Sequence, residues 1–324
     1  MNGLQLIATG GALPGRTITN DALSRMVDTS DAWITSRTGI RTRHWCTEDE
    51  SAATLAIAAA RQALDRSGLA PADIACCVCA TLSAPDATPS VACQVQAALG
   101  LPENRPALDI NAACSGFLYG MAVARGMLTT LGGQYALVIG CEALSRLMDP
   151  TDRSTCVLFG DGAGAAIFRA AEGTGDSSDT GILATKIYAD GSQYDHLCSD
   201  GGVSLNQKAG FIHMDGKEVF KVAIPSLVQG VEESLKIAGI NINEVNWYVP
   251  HQANLRIIDS VAKKLEIDMD KVVVTVDHHG NTSAASIPLA LAESFAAGKF
   301  KKGDVIAISA MGAGFTWGGM VIRI

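Results

Sequence analysis

The chain carries the segment GQYALV at residues 133–138 and a variant of it, GDVIAI, at residues 303–308, an offset of 170 residues. Each has a polar turn followed by a continuous apolar run, which is typical of a strand buried on both faces. A second pair of strand-like segments, at residues 107–110 and 273–276, repeats with an offset of 166 residues. Two matched pairs at nearly the same offset indicate an internal duplication.

The elements before these segments repeat as well. A helical pattern ends at Gly68 and is followed, after a short loop, by an apolar strand at residues 74–80. A second helical pattern ends at Gly239 and is followed, after a similar loop, by a strand at residues 245–249. Strands that alternate with helices are typical of a sheet covered by helices on both faces. The sequence therefore predicts an α/β fold built from two pseudo-symmetric halves.

We assign the first half to residues 1–171 and the second half to residues 172–324, with an exposed connection at residues 172–180. Hydrophobic residues make up 48% of the chain and charged residues 18%, which fits a large buried core. The net charge of −8 argues against a nucleic-acid partner. No apolar run approaches the ~18 residues of a membrane span, and the N-terminus lacks the basic segment of a signal peptide. We expect a cytoplasmic protein without a membrane partner.

Nine cysteines are an odd number, and they do not form the short spaced framework of a disulfide-rich domain. Reduced thiols are therefore the simpler interpretation. Cys76, Cys77 and Cys79 are close enough in sequence to suggest a metal site, but they lie in an apolar strand whose alternate side chains face opposite sides. We interpret them as buried thiols and expect no metal.

Cys114 lies where a strand gives way to a helix, among small residues in NAACSGF at residues 111–117. A thiol at a helix N-terminus meets unpaired backbone N–H groups and the positive end of the helix dipole, and both favour the nucleophilic thiolate. The position is typical of a catalytic nucleophile. A buried structural cysteine would show the same local sequence.

His251 follows the strand at residues 245–249, and Asn281 follows the strand predicted at residues 273–276. Ligands bind at the carboxyl ends of strands in open α/β sheets, so both side chains are candidates for the site. A core histidine would satisfy the first pattern. An ordinary helix N-cap region, before the helix predicted at residues 287–297, would satisfy the second.

The duplication links these candidates. Cys114 and Asn281 hold nearly equivalent positions in the two halves, and His251 follows the strand equivalent to residues 74–80. Converging strand-end loops would bring the three together. The turn MGAG at residues 311–314 could then offer a backbone N–H to an oxyanion opposite Cys114.

At these residues, and along nearly its whole length, the sequence resembles the thiolase-fold condensing enzymes, and among them the β-ketoacyl-acyl-carrier-protein synthase III family. The resemblance implies a duplicated, five-layered αβαβα architecture and a homodimer. The blocks that carry it are DTSDAWI (28–34), RTGIR (37–41), ACSGF (113–117), DPTDR (149–153), FGDGAGA (159–165), residues 250–258, residues 280–286 and GFTWG (314–318).

The resemblance implies that Cys114 takes an acyl group, commonly acetyl, from acyl-CoA, which is a substrate and not a resident cofactor. Malonyl-acyl carrier protein would then lose carbon dioxide, and its enolate would attack the acyl-enzyme. His251 Nε2–H and the Asn281 amide would stabilise the negative charge on the malonyl thioester oxygen. The backbone N–H groups of Cys114 and Ala313 would stabilise the acyl-transfer oxyanion, although the family usually has glycine in place of Ala313.

The resemblance also implies binding surfaces. Trp33, Arg37 and Arg153 match family positions that hold the adenine and phosphate end of coenzyme A, for which an aromatic face and guanidinium groups are suited. Core packing and a solvated surface are the alternative explanations of these three residues. A basic patch that could dock an acidic carrier protein, or could simply be solvated, consists of Lys221, Arg256, Lys263 and Lys264.

Thr88 matches a family position that limits acyl length across the dimer interface, where some members carry phenylalanine. The smaller Thr88 is expected to leave room for primers longer than acetyl.

Several other activities compete with this interpretation. A thiolase needs a second cysteine near the C-terminal glycine turn, and synthases that extend carrier-bound chains use two histidines, whereas Asn281 stands in the second place here. A relative that makes an alkylquinolone precursor or a heteroatom-linked ester, a cysteine hydrolase, and a non-catalytic carrier-binding protein remain open. Retention of both His251 and Asn281 favours decarboxylative condensation.

Overall fold

A computed structural model describes residues 3–174 and 176–324. The strands are β1 (Gly3–Ala12), β2 (Arg16–Thr19), β3 (Thr42–Trp45), β4 (Ile74–Ala80), β5 (Ala107–Ile110), β6 (Tyr135–Glu142), β7 (Gly162–Ala171), β8 (Gly181–Ala189), β9 (Leu197–Ser199), β10 (Ile212–Met214), β11 (Trp247–Pro250), β12 (Val305–Gly312) and β13 (Thr316–Arg323). The α-helices are α1 (Asn20–Leu23), α2 (Asp31–Thr38), α3 (Ala52–Ser67), α4 (Val91–Leu99), α5 (Gly116–Leu131), α6 (Val203–Asn206), α7 (Gly216–Ala238), α8 (Leu255–Lys264), α9 (Val276–His279) and α10 (Ser286–Ala296).

Two large sheets have matching topologies. The first has the order β1-β7-β6-β4-β5, and the second has the order β11-β12-β13-β8. In each, parallel strands are followed by an antiparallel pair: β4 and β6 correspond to β11 and β12, while β7 and β1 correspond to β13 and β8. The predicted duplication is therefore present in four strands of each sheet.

The second sheet lacks an equivalent of β5, so the strand predicted at residues 273–276 is wrong. Gln252 explains the difference, because its side chain forms the hydrogen bonds with the backbone of this segment that a neighbouring strand would otherwise form. Gln252 Nε2 donates to Val273 O at 3.0 Å, and Gln252 Oε1 accepts from Thr275 N at 2.8 Å and from Val276 N at 3.1 Å. What remains is a single parallel bridge between Tyr248 and Val272.

The fold has five layers, and three apolar cores lie between them. Side chains of α3 and α4 pack on the outer face of the first sheet, and those of α7 and α8 pack on the outer face of the second. Helices α5 and α10 lie between the sheets, where Phe117, Met121 and Leu291 meet inward side chains such as Val138 and Ile308. This order, αβαβα, confirms the predicted thiolase-like fold.

The cysteines of β4 follow the alternation expected of a buried strand. Cys76 faces the central core, whereas Cys77 and Cys79 face the core beneath α3 and α4. Burial raises the pKa of the Cys76 thiol to about 11 and raises the pKa of Cys77 further. All three are therefore neutral packing residues near pH 7.

Glycines let the second half approach the first sheet closely. A Cβ atom on Gly140 of β6 would lie 2.1 Å from Ala284 O, and one on Gly164 of β7 would lie 2.5 Å from Leu289 N. The block FGDGAGA therefore serves helix packing, since side chains there would push α10 away from the sheet.

The chain leaves the first sheet at Ala171 and enters the second at Gly181. Helix α10 from the second half nevertheless packs on β1 and β7 of the first sheet. The boundary at residue 171 thus stays a prediction. It matches the point where the chain passes from one sheet to the other, but helix packing crosses it. No helix of residues 3–174 and 176–324 is long and apolar enough to cross a membrane.

Candidate active site

Cys114 lies on a tight turn between β5 and α5. The 3-10 turn Ala113–Ser115 precedes the helix, and Ala113 has a left-handed backbone with a φ of 45°. Asn111 Oδ1 accepts a hydrogen bond from Ala113 N at 3.1 Å. The turn therefore holds Cys114 two residues before the start of α5, partly exposed to a cleft.

The second half contains the same turn 170 residues later. The 3-10 turn Ser283–Ala285 precedes α10, Ser283 has a φ of 49°, and Asn281 Oδ1 accepts from Ser283 N at 2.9 Å. Position by position, Asn281 is the equivalent of Asn111, and Ala284 is the equivalent of Cys114. The sequence indicated nearly equivalent positions for Cys114 and Asn281. In the structure, Asn281 lies three positions before the equivalent of Cys114.

The two turns meet at Cys114. The Ser283 side chain lies beside the Cys114 thiol and acts to lower its pKa. On another side, Gly312 of β12 packs so closely that a Cβ atom there would lie 2.5 Å from Cys114 N. Ser115 Oγ donates to Thr316 O at 2.8 Å, which joins the nucleophile turn to β13.

His251 is fixed at both its main chain and its ring. Its N–H donates to Ser309 O of β12 at 2.8 Å, and its Nδ1 lies 2.7 Å from Ser286 Oγ. Because Ser286 Oγ accepts from Gln252 N at 3.4 Å, its own hydrogen is available for Nδ1, and the ring proton then belongs on Nε2. Burial lowers the pKa of His251 to about 3, so the imidazole is neutral near pH 7.

Asn281 is held by the block at residues 159–165. Asn281 N donates to Leu158 O at 2.9 Å, and its carbonyl accepts from Gly160 N at 3.0 Å. Its side-chain oxygen is occupied by Ser283 N. Within residues 3–174 and 176–324, its Nδ2 hydrogens have no hydrogen-bond partner, which leaves them as donors for a ligand.

The start of α10 brings the three candidate residues together. Ser283 contacts both Cys114 and Asn281, and Ser286, one helical turn later, contacts His251. Both donor groups are therefore anchored to the segment at residues 281–286, which reaches Cys114 through Ser283.

Charge in this region is governed by burial. The pKa of the Cys114 thiol is raised to about 12, mainly by desolvation and to a smaller extent by the nearby Glu142 carboxylate. Ser283 and the Cys114 main-chain N–H lower this pKa, but by less than desolvation raises it. The sequence favoured a thiolate, and burial acts against it.

A cleft of about 1470 Å³ opens in front of Cys114. Ser283, Ala313 and Thr88 also line it, as does part of the segment between β8 and α7. The volume exceeds the ~300–1,000 Å³ of typical ligand pockets. Thr88 and the nucleophile therefore share one space, in which Thr88 is exposed in the single chain.

Ala313 occupies its turn without strain. Positive φ values at described non-glycine residues occur only at Ala113, Gln207, Glu266 and Ser283. The backbone at Ala313 therefore accepts a Cβ atom, and the replacement of the family's usual glycine leaves its N–H in place.

Two of the candidate coenzyme A residues contact each other. The Arg153 guanidinium lies 5.2 Å from the centroid of the Trp33 ring, and Arg153 Nη1 donates to Asp28 O at 3.0 Å. Arg37 is exposed on the same helix as Trp33, and its carbonyl accepts from Asn254 Nδ2 at 3.3 Å. None of these three lies among the residues that line the cleft.

The basic residues form a looser group. Lys221 Nζ pairs with Glu218 at 2.6 Å, and Arg256 lies 5.7 Å from the Phe220 ring centroid, on two helices that pack together. Lys263 is exposed about 10 Å further along α8, and Lys264 follows it. The side chains share one region without direct contact to the nucleophile turn.

Possible metal ligands converge elsewhere, at His278, His279 and Glu293, whose ligand atoms lie within 4.8 Å of one another. His278 already bonds Asp277 at 2.8 Å through Nδ1 and Glu293 at 3.1 Å through Nε2. These carboxylates raise the pKa of His278 to about 9. The cluster is therefore organised as an ion pair around a protonated histidine.

Four residues of the site were not singled out from the sequence: Ser283, Ser286, Thr316 and Glu142. Ser283 and Ser286 lie inside a quoted block, and their spacing of three residues at a helix start is a signal that could have found them. Glu142 could have been found as the single charged residue that ends the apolar strand β6.

Comparisons with known proteins agree with this architecture. The family model for 3-oxoacyl-[acyl-carrier-protein] synthase III matches residues 108–191, and the model for the C-terminal part of that family matches residues 235–324. The β-ketoacyl-[acyl-carrier-protein] synthase III of Agrobacterium fabrum is 50% identical over 97% of this chain and 97% of its own length. The enzyme of that name from Rhodospirillum centenum is 48% identical over 98% of both chains.

Solved structures show the same relationship. The 3-oxoacyl-[acyl-carrier-protein] synthase III of Aquifex aeolicus superposes with a TM-score of 0.92 at 45% identity, covering 99% of this chain and 100% of that one. The priming β-ketosynthase of the R1128 polyketide pathway has a TM-score of 0.92 at 31% identity, covering 100% of this chain and 96% of its own. The chain therefore belongs to the β-ketoacyl-[acyl-carrier-protein] synthase III family of acyltransferases, which condense an acyl primer with malonyl-acyl carrier protein to initiate fatty acid synthesis.

Proposed function

We propose that Cys114 carries the acyl group, that acetyl-CoA is the primer, and that His251 and Asn281 drive the decarboxylative step. The observation that carries this assignment is the pair of neutral donors, His251 Nε2 and Asn281 Nδ2, which Ser286 and Ser283 anchor to the segment that reaches the thiol.

In the first half-reaction, the Cys114 sulfur attacks the thioester carbonyl of acyl-CoA and the sulfur of coenzyme A leaves. The oxygen that becomes negative needs donors that are already in place. We assign that role to the main-chain N–H groups of Cys114 and Ala313, two residues that line the cleft. The product is an acyl thioester on Cys114 and free coenzyme A.

In the second half-reaction, malonyl-acyl carrier protein loses carbon dioxide and leaves an enolate. Its thioester oxygen gains negative charge, which the hydrogens on His251 Nε2 and Asn281 Nδ2 stabilise. A neutral imidazole suits this role, and the low pKa of His251 keeps the ring in that form. The enolate carbon then attacks the acyl-Cys114 carbonyl, the bond from that carbon to sulfur breaks, and the products are 3-oxoacyl-acyl carrier protein and the Cys114 thiolate.

We assign the coenzyme A end of the primer to Trp33, Arg37 and Arg153. The ring and the guanidinium that lie 5.2 Å apart offer a stacking surface and a cation for the adenine and phosphates. Coenzyme A enters as part of the substrate, and the proposed chemistry uses no resident cofactor.

The carrier protein is acidic in this proposal, and it docks on the basic patch (Lys221, Arg256, Lys263 and Lys264). Charge complementarity would raise the association rate, since the rest of the chain is acidic. The patch lies on α7 and α8, and α8 starts four residues after His251.

Two further assignments concern assembly and location. The exposed Thr88 at the edge of the cleft supports a homodimer in which a second copy covers this loop and bounds the acyl pocket.

All nine cysteines are free thiols, as is typical of a reducing compartment, and this supports a cytoplasmic location.

Intact-protein mass spectrometry tests the nucleophile. After incubation with acetyl-CoA we expect one acetyl adduct, which Cys114→Ala abolishes. Addition of malonyl-acyl carrier protein should then remove the adduct and release 3-oxobutanoyl-acyl carrier protein. No adduct, or an adduct that persists in Cys114→Ala, would contradict the assignment.

A further inference from the structure

Three side chains that can bind metals meet where α9 ends against α10. His278 and His279 are the last two residues of α9, and Glu293 lies in the second half of α10. The His279 side chain is only 8% exposed, whereas those of His278 and Glu293 are 41% and 48% exposed. All three lie outside the set of residues that line the cleft in front of Cys114. They therefore form a separate group, partly buried and open to solvent on one side.

Both histidines direct the same nitrogen at the same oxygen. His278 Nε2 lies 3.1 Å from Glu293 Oε2, and His279 Nε2 lies 3.4 Å from that atom. Around a tetrahedral Zn²⁺, bonds of about 2.0–2.2 Å place neighbouring ligand atoms about 3.4 Å apart. The two measured distances match this spacing, and the ligand atoms of all three side chains lie within 4.8 Å of one another. The spacing therefore suits a metal ion of this size.

The main chain brings the two rings to this point. Neighbouring residues of a helix do not normally face each other. The ring centroids of His278 and His279 are nevertheless 4.2 Å apart, with the ring planes at 67°. His279 N donates to Thr275 O at 2.9 Å, and His278 O accepts from Thr42 Oγ1 at 3.0 Å. Two imidazoles on adjacent residues thus converge on a carboxylate from another helix.

The outer partner of His278 is of the kind that metal-bound histidines commonly have. Its Nδ1–H donates to Asp277 Oδ1 at 2.8 Å. A histidine ligand usually gives its other ring hydrogen to a carboxylate or a carbonyl group, which fixes the tautomer and makes the free nitrogen a better ligand. Asp277 therefore leaves Nε2 of His278 to face the point next to Glu293.

We propose that His278 Nε2, His279 Nε2 and the Glu293 carboxylate bind one Zn²⁺ ion, with water from the exposed side as the fourth ligand. Imidazole nitrogen and carboxylate oxygen suit Zn²⁺, whereas Mg²⁺ and Ca²⁺ prefer oxygen ligands alone. The ion takes the place of the proton that His278 shares with Glu293, and this proton is released to solvent. The prediction of no metal was drawn from the cysteines of β4, which lie elsewhere in the fold.

The ion joins two segments that carry active-site donors. Asn281 lies two residues after His279, and α10, which provides the carboxylate ligand, begins with Ser286, the residue in contact with His251. The site is structural, and the ion takes no part in acyl transfer or condensation. The inference therefore does not depend on the proposed function. Because the ion binds the folded chain, it should stabilise that state.

Metal binding to the EDTA-treated chain tests the proposal. Isothermal titration with Zn²⁺ should give one ion per chain, and thermal denaturation should show a midpoint several degrees higher with Zn²⁺ than without it. Co²⁺ serves as a coloured substitute for Zn²⁺. Nitrogen and oxygen ligands in tetrahedral geometry should give visible bands, without the near-ultraviolet sulfur-to-cobalt band that a bound cysteine would add.

Substitutions at partly exposed positions test each contact, with circular dichroism to confirm that each variant is folded. Asp277→Asn, which removes the outer carboxylate, should weaken Zn²⁺ binding about 10–100-fold. His278→Gln and Glu293→Gln each remove a ligand and should weaken it by more than that. His213→Gln is the matched control, because His213 belongs to another exposed histidine–carboxylate pair, 2.8 Å from Asp200. It should bind Zn²⁺ like the wild type.

Failure of the wild type to bind one Zn²⁺ would overturn the proposal, and so would wild-type affinity in either His278→Gln or Glu293→Gln. A sulfur-to-cobalt band would assign the metal to a cysteine and would overturn it as well. None of these results bears on the nucleophile, because the acetyl adduct of Cys114 is measured without added metal.

Discussion

Ser286 Oγ lies 2.7 Å from His251 Nδ1, and this contact determines which ring nitrogen carries the proton. The hydroxyl accepts from Gln252 N, and we assign its one hydrogen to Nδ1, which leaves the ring hydrogen on Nε2. The first turn of α10 therefore sets the chemical character of a histidine 35 residues earlier in the chain.

Replacing Ser286 by alanine should impair condensation selectively. Without the hydroxyl, the two tautomers of His251 compete, and the population with a donor at Nε2 falls. We expect the condensation rate to drop about tenfold, the loss of one neutral hydrogen bond, while acetylation of Cys114 stays within about twofold. Single-turnover rates of the two half-reactions measure this, and equal losses in both would contradict the assigned tautomer.

Asn281 has two roles, as an acceptor from Ser283 N–H and as a donor through Nδ2, and substitutions can separate them. Asn281→Asp retains an oxygen for Ser283 N–H but removes the Nδ2 donor, whereas Asn281→Ala removes both. Both variants should lose decarboxylative condensation by about 10²–10³-fold, the usual cost of one oxyanion donor. Acylation of Cys114 should fall less.

His251→Ala should show the same division between the half-reactions. Full condensation activity of the Asn281→Asp variant would show that Asn281 mainly holds the turn. Release of carbon dioxide from labelled malonyl-acyl carrier protein measures the step directly.

Glu142→Gln should change the stability of the protein with pH. A carboxyl whose folded pKa is about 7, above its ordinary value of 4.5, binds its proton more tightly when folded. Its stabilising contribution is present below pH 4.5 and is lost as the pH rises to 7, by about 3 kcal/mol. Relative to the wild type, Glu142→Gln should therefore gain free energy of unfolding over this window.

Urea denaturation at several pH values between 4.5 and 8 measures that difference. His251 contributes with the opposite sign below pH 6.5, since its folded pKa is lowered, but it does so in both proteins and cancels. A constant difference across the window would mean that Glu142 remains ionised in the folded protein.

Gly312→Ala should disturb the nucleophile turn. Its Cβ atom would lie 2.5 Å from Cys114 N and 3.0 Å from Cys114 Cβ, so one of the two segments must shift. We expect a destabilisation of about 1–3 kcal/mol and slower acetylation. Gly126→Ala in α5 is the control, because that site is open and helical, and it should stabilise the protein by about 0.5–1 kcal/mol. Thermal denaturation with acetylation rates distinguishes the two.

Thr88 should determine the primer length. A panel of acetyl-, butyryl- and octanoyl-CoA should show that the wild type accepts primers longer than acetyl, because Thr88 shares a cleft of about 1470 Å³ with Cys114. Thr88→Phe should restrict turnover to acetyl-CoA without changing acetyl transfer more than a few-fold. Strict preference of the wild type for acetyl would contradict the hypothesis.

The repeat made the fold predictable, because two halves with the same order of strands and helices require the same topology. It failed at residues 273–276, where the local sequence is apolar and strand-like. There the side chain of Gln252 satisfies the backbone, and such a long-range hydrogen bond has no local signature. The positions of Cys114, His251 and Asn281 followed from strand-end rules and from the resemblance.

The protonation states could not be predicted in the same way. A helix start near Cys114 predicted a thiolate, but desolvation depends on the packing of both turns, which sequence spacing does not reveal. Glu142 was overlooked for the same reason: its partners come from the segment after β4 and from the turn before α10.

The paired turns at Ala113–Ser115 and Ser283–Ala285 also bear on how such a site could arise. In an assembly of two identical half-length chains, every substitution in one turn would appear in the other, so a thiol here would impose a thiol there. A single gene encoding both copies removes that constraint. The nucleophile could then arise in one copy of the ancestral loop, as Cys114. The other copy, with Ala284 at the equivalent position, could supply the electrostatic support.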